Sequence, residues 1–133
     1  MHTGRCLCGG IRYEVDALGP IVLCHCSQCR RANGSAFGAN APAKAEHLRF
    51  VQGESLLATY ESSPGKVRAF CSRCGSPVLS RRTDRPDVVR LRIGLIDPPI
   101  AERPTCHIYA ASKAEWLDIR DQLPQYPERE PGR

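Results

Sequence analysis

The stretch GRCLCGGIRYEV, residues 4–15, sets two cysteines and two glycines directly before a segment in which apolar and polar side chains alternate. Alternation over Ile11–Val15 marks a half-buried β-strand. A cysteine pair followed by glycine at the mouth of a strand marks a metal-binding turn. Glycine permits the backbone angle that aims N–H groups at the sulfurs. The same order returns in KVRAFCSRCGSPVLS, residues 66–80, where Cys71-Ser72-Arg73-Cys74-Gly75 stands between two strand-like runs. Working outward from these two turns, the chain reads as a small β protein stapled by metal.

The remaining punctuation agrees. IVLC (Ile21–Cys24) follows the break at Leu18-Gly19-Pro20, and VVRLRIGLI (Val88–Ile96) alternates around Arg90 and Arg92. LRFVQG and LLATY flank Gly53–Glu54, which predicts a hairpin turn, and Ser62–Gly65 (SSPG) predicts a turn before KVRAFC. Short strands between Gly/Pro turns predict a mostly β, small single domain of curved antiparallel sheets rather than βαβ units. One helical turn is expected over Ser27–Gly34. A short helix or ordered strap anchored by Trp116 is expected over Ser112–Leu123. The domain is expected to span residues 1–126, leaving the Pro-rich, charged residues 127–133 as a flexible tail.

A chain of 133 residues with 6% aromatics has room for a modest core of Val, Leu, Ile and Ala, and eight cysteines offer a supplement to it. The N-terminal MHTGRCLCGG lacks the apolar core of a secretory leader, and no run approaches a membrane span. The expectation is a cytoplasmic protein whose thiols stay reduced and bind metal. Net charge is +5, with 15 Lys/Arg against 9 Asp/Glu in residues 1–112 and 4 against 5 in residues 113–133. That excess favours small anionic substrates. No basic run interleaved with aromatics appears, which argues against a nucleic-acid partner.

The cysteines fall into two pairs, one triplet and one single residue. Cys71 and Cys74 lack the βαβ context of a thioredoxin-like redox pair. The simplest division is four plus three: Cys6, Cys8, Cys71 and Cys74 close one zinc site, and Cys24, Cys26 and Cys29 form another. Spacing alone also permits a mixed division. Zinc held by three ligands with an open corner is the catalytic arrangement, whereas four ligands close a structural site. Three thiolates leave that zinc a weak Lewis acid, better suited to an incoming soft thiol than to making hydroxide. Arg30 and Arg31, directly after Cys29, would offset the thiolate charge and meet a carboxylate on the incoming molecule. A small anionic thiol fits that description.

The pattern GRCLCGGIRYEV, followed by Cys24-His25-Cys26-Ser27-Gln28-Cys29-Arg30-Arg31 and then Phe70-Cys71-Ser72-Arg73-Cys74-Gly75-Ser76, resembles the glutathione-dependent formaldehyde-activating enzyme family, with its centromere protein V relatives. PTCHIYAASKAEWLDIRDQLPQY (residues 104–126) resembles that family's C-terminal segment. The resemblance implies a β-tent fold and two zinc ions. Residues matching Cys6, Cys8, Cys71 and Cys74 would hold the structural ion, and those matching Cys24, Cys26 and Cys29 the catalytic one. It further implies a carbon–sulfur lyase-type activity that joins glutathione to formaldehyde. His107 matches a histidine of the family segment, so a role in the substrate pocket is open for it beside a purely structural one.

Other residues have plainer readings. His25 is expected to be a spacer whose ring points away from the metal. Trp116 and Tyr109 are expected in the core, and Arg90 and Arg92 on a solvated face. Cys106, if it reached the triplet, would close the open corner and leave a non-catalytic module with two structural zincs.

Overall fold

The computed structural model describes residues 1–132; Arg133, the last residue of the expected tail, lies outside the described residues. In chain order the strands are β1 (His2–Arg5), β2 (Arg12–Val15), β3 (Ile21–Cys24), β4 (Gly38–Lys44), β5 (Leu48–Gln52), β6 (Leu57–Ser63), β7 (Lys66–Cys71), β8 (Pro77–Arg82), β9 (Arg85–Arg92) and β10 (Pro104–Ile108). One α-helix, α1 (Ser27–Asn33), occurs among the described residues. The described residues divide into two compact units: Met1–Gly19 with Ala41–Ala101, and Pro20–Asn40 with 102–132.

In the first unit, β2 is flanked by β1 and β5, both antiparallel to it. Its alternation does the work that the sequence assigns to it, since Tyr13 and Val15 are buried while Arg12 is exposed. The Tyr13 ring lies over Gly4, where any Cβ would collide with it. Strands β6, β7, β8 and β9 form an antiparallel meander in that order. Gly65, at φ 80°, turns β6 into β7 at the turn expected over Ser62–Gly65, and the two strands pair as a hairpin. Ile11, Tyr13, Val15, Cys71, Val78 and Leu91 belong to one buried cluster that also contains Cys6.

In the second unit, β3 pairs antiparallel with the start of β4, from Val22↔Asn40 to Cys24↔Gly38. On its other side β3 pairs with β10 in parallel, with His107 beside Leu23 and Ile108 beside Cys24. This parallel ladder departs from the purely antiparallel expectation. The two strands lie far apart in sequence, so no local turn signal announces their pairing. A separate buried cluster joins Val22, Cys24, Cys29, Cys106 and Ile108.

Two local expectations are corrected, those at Gly53 and Trp116, and that for Ser112–Leu123 is narrowed. Gly53 is a turn with φ 76°, but β5 pairs with β2 and β6 with β7, so no hairpin forms there. Ser112–Leu123 holds bends and turns after a 3-10 turn at Ala110–Ser112, without an α-helix. Its buried anchor is Ala114; Trp116 is 72% exposed.

Gly53 gives the sharpest test of the first unit. A methyl group there would strike the Gly10 carbonyl oxygen at a φ that L-residues rarely adopt. Gly53→Ala is expected to cost at least about 2 kcal/mol, read as a lower urea midpoint at unchanged slope.

Candidate metal centres

Among the described residues, two groups of side chains place their ligand atoms within 4.8 Å of one another: Cys6, Cys8, Cys71 and Cys74, and separately Cys24, Cys26 and Cys29. The four-plus-three division is therefore the one the fold adopts. All eight cysteines are thiols rather than disulfides.

The four-cysteine group is built from two matching turns in the first unit. Gly9 (φ 75°) and Gly75 (φ 79°) supply the left-handed residue in each. Their N–H groups bond back to the carbonyls of Cys6 (3.0 Å) and Cys71 (2.7 Å). This geometry points further N–H groups at sulfur: Ile11 donates to Cys6 Sγ at 3.3 Å and Gly10 to Cys8 Sγ at 3.4 Å. Cys8 Sγ lies 3.5 Å from Cys6 Sγ and 3.9 Å from Cys71 Sγ. The crowding splits the acidities. Hydrogen bonds from the Ser76 side chain and backbone lower Cys74 to about 5. Cys8 is raised to about 11: the Gly10 N–H lowers it, but burial and the sulfurs of Cys6, Cys74 and Cys71 outweigh that donor. Without a cation the cluster cannot hold all its thiols as thiolates.

The three-cysteine group is local. Cys24 ends β3, and Cys26 is the N-cap of α1, extended at φ −63°, ψ 154°. Cys29, in the first turn, donates its backbone N–H to Cys26 Sγ at 3.3 Å. Gly34 closes the helix in the left-handed region, with its N–H on the Arg30 carbonyl. Cys24 and Cys29 are buried. The adjacent sulfurs of Cys26 and Cys29, then burial, push the Cys24 thiol far above its ordinary value. Three crowded soft donors suit a thiophilic dication such as zinc. Cys106 is not in this group, although it shares the surrounding cluster. Arg30 is half-buried and Arg31 exposed in the last turn of α1, where positive charge complements the helix dipole.

His25 has more structure around it than a spacer needs. It is fully buried, and its Nε2 lies 2.8 Å from Nδ1 of His107. His107 Nε2 in turn lies 2.9 Å and 3.1 Å from the two carboxylate oxygens of Asp121. The edge of the Phe37 ring packs against His25 at 5.4 Å between centroids. Burial first, with the Lys113 charge adding to it, lowers the His25 pKa. The hydrogen bond to His107, then the Leu123 N–H, hold the Asp121 carboxyl below its ordinary value. His107 thus engages protein through both ring nitrogens. Asp121 lies within the 104–126 segment, but its place in the fold, not the sequence around it, singles it out. Arg92 is buried and Arg90 half-buried, so the solvated face expected for them is absent.

Comparisons with known proteins fit this geometry. Residues 1–112 match the glutathione-dependent formaldehyde-activating enzyme family. A Halomonas elongata protein that carries the name of that enzyme is 30% identical over 129 residues, covering 90% of this chain and 81% of the relative. A Rhodobacter sphaeroides protein of known crystal structure shares the fold, with a TM-score of 0.62 at 23% identity over 93% of this chain and 98% of that one.

The two groups should differ under mutation. Cys71→Ser is expected to remove one metal and destabilise the chain by more than about 4 kcal/mol. Cys26→Ser is expected to remove the other metal and leave the urea transition largely in place. Metal content by elemental analysis and a paired urea titration check both.

Proposed function

Since the chain belongs to the glutathione-dependent formaldehyde-activating enzyme family, we propose that it is a zinc-dependent carbon–sulfur lyase-type enzyme that adds a small thiol such as glutathione to formaldehyde or a related electrophile. The observation that carries this reading is the size of the second group. Three cysteines converge, and among the described residues no histidine, carboxylate or further cysteine joins them. A tetrahedral ion with three protein donors keeps one position for an incoming ligand. The four-cysteine group, complete in itself, has the donor set of a structural ion.

When bound, zinc would supply the positive charge that favours the thiolate form of an incoming thiol. The chain's own residues do the rest. Cys24, Cys26 and Cys29 present a soft, sulfur-lined site. Arg30 and Arg31 lie on the helix that begins at Cys26, where they offset thiolate charge and offer partners for a carboxylate of the thiol. In the addition, the sulfur lone pair forms the S–C bond as the carbonyl π pair moves to oxygen. The proton released from the thiol ends on that oxygen, giving a hydroxymethyl thioether. Reversal of the same steps is the lyase direction.

Zinc per chain, measured with and without a glutathione challenge, tests the reading. Two zincs are expected, one of which becomes exchangeable when the thiol is added. Carbon-13 formaldehyde should then give the S-hydroxymethyl adduct faster than in buffer. Two zincs indifferent to thiol would overturn the enzyme reading and leave a two-metal binding module.

A further inference from the structure

Asp121, His107 and His25 form one hydrogen-bonded chain, and the chain has a direction. An ionised carboxylate only accepts, so Asp121 requires N–H at His107 Nε2. With its one ring proton committed to Asp121, His107 presents a bare Nδ1, which accepts from Nε2–H of His25. That leaves His25 Nδ1 without a proton, and this atom is buried with no hydrogen-bond partner. The opposite arrangement would strand an N–H there, the rarer and costlier defect in a protein interior. Every step thus converges on one tautomer for each ring.

The end of the chain sits between two ligands. Cys24 closes β3, Cys26 is extended, and their sulfurs approach each other on one side. Successive side chains along extended backbone point to opposite faces. The residue between two such ligands therefore projects away from them, and holding its ring fixes the direction in which they point. His25 is held twice, through its ring and through its backbone N–H, which donates to Ile108 O at 3.0 Å. His107 is held as firmly. Its N–H donates to Pro124 O at 2.9 Å, and its carbonyl accepts from the Tyr126 N–H at 2.9 Å. Asp121 Oδ1 also accepts from the Leu123 N–H at 3.0 Å, which fixes the carboxylate.

We propose that Asp121 is a positioning residue for the three-cysteine site: through His107 it sets the tautomer and orientation of His25, and so holds Cys24 and Cys26 in ligating geometry. The inference rests on the reading that this group binds metal, but not on any catalysed reaction. Partners of this kind typically change metal affinity about 10–100-fold. Their effect appears as metal retention rather than as a contact with substrate.

The test uses the full chain loaded with Co2+ in place of zinc, as wild type, Asp121→Asn and Asp121→Glu. Asp121 is 45% exposed in its side chain, so neither substitution disturbs a core. Metal release to a chelator is followed through the cobalt–thiolate absorption, and ring-nitrogen shifts are read by 15N NMR on the zinc form. The wild type is expected to show Nε2–H tautomers at both His25 and His107. Asp121→Asn, whose amide both donates and accepts, should mix those tautomers and release one of the two metals about tenfold faster, the other unchanged. Asp121→Glu should restore much of the retention. A proton on His25 Nδ1 in the wild type would overturn the proposal without any variant. Equal acceleration of both metals would also overturn it, because that is general loosening. Failure of the enzyme reading would show instead as absent turnover with these metal and tautomer results intact.

Discussion

Negative sulfurs repel, and this chain places three or four of them within 4.8 Å of one another in each of two groups. That repulsion is the constraint around which the local structure is arranged. Glycines at φ 75° and 79° bend the two turns of the four-cysteine group. Backbone N–H groups then point at Cys6 and Cys8, as the Cys29 N–H does at Cys26. These partial positive charges ease ionisation, but a dication answers it far more fully. In a small chain with sparse aromatics, such a centre supplements what apolar burial provides.

The two groups obtain their geometry in different ways. Cys6 and Cys71 are distant in sequence, so an ion that joins them closes a long loop and stabilises the fold much as a cross-link does. The triplet lies within six residues and closes almost nothing. Its geometry has to come from neighbours: β3 on one side, the first turn of α1 on the other, and the polar chain behind His25. A site whose metal contributes little to folding can exchange a ligand without unfolding the protein. In the proposed reading, this difference in loop length, as well as donor number, separates a structural role from a reactive one.

The sequence made the cysteine groups legible because each ligand turn is encoded within five or six residues, with glycine in the two turns of the four-cysteine group. The family resemblance rests on those same three motifs, and the match over residues 1–112 bears it out. The strand from IRYEV, the turn at Ser62–Gly65 and the helical turn after Cys26 were readable for the same local reason. What stayed hidden depends on partners remote in the chain. Gly53 does signal a turn, but a turn does not say which strands pair beyond it. The parallel β3–β10 ladder and the contact between His25 and His107, 82 residues apart, have no local signature. Trp116 shows the limit of composition, since a lone tryptophan reads as core until the fold leaves it outside while the small Ala114 goes in.

The buried histidine pair also clarifies what a polar interior contributes. Two imidazoles in apolar surroundings cost desolvation, and a rigid hydrophobic pair could fill the same volume more favourably. What a hydrophobic pair cannot supply is direction. A chain that begins at a carboxylate has one consistent assignment of protons, and each ring is oriented by the bond it must make. The carboxylate sits at the surface, where water tempers the desolvation of its charge, while the oriented end lies beside the ligand cysteines. The rings are thus buried and the carboxylate kept wet. That distribution lets a site fix two metal ligands from behind without adding a further negative charge to thiolates that already crowd one another.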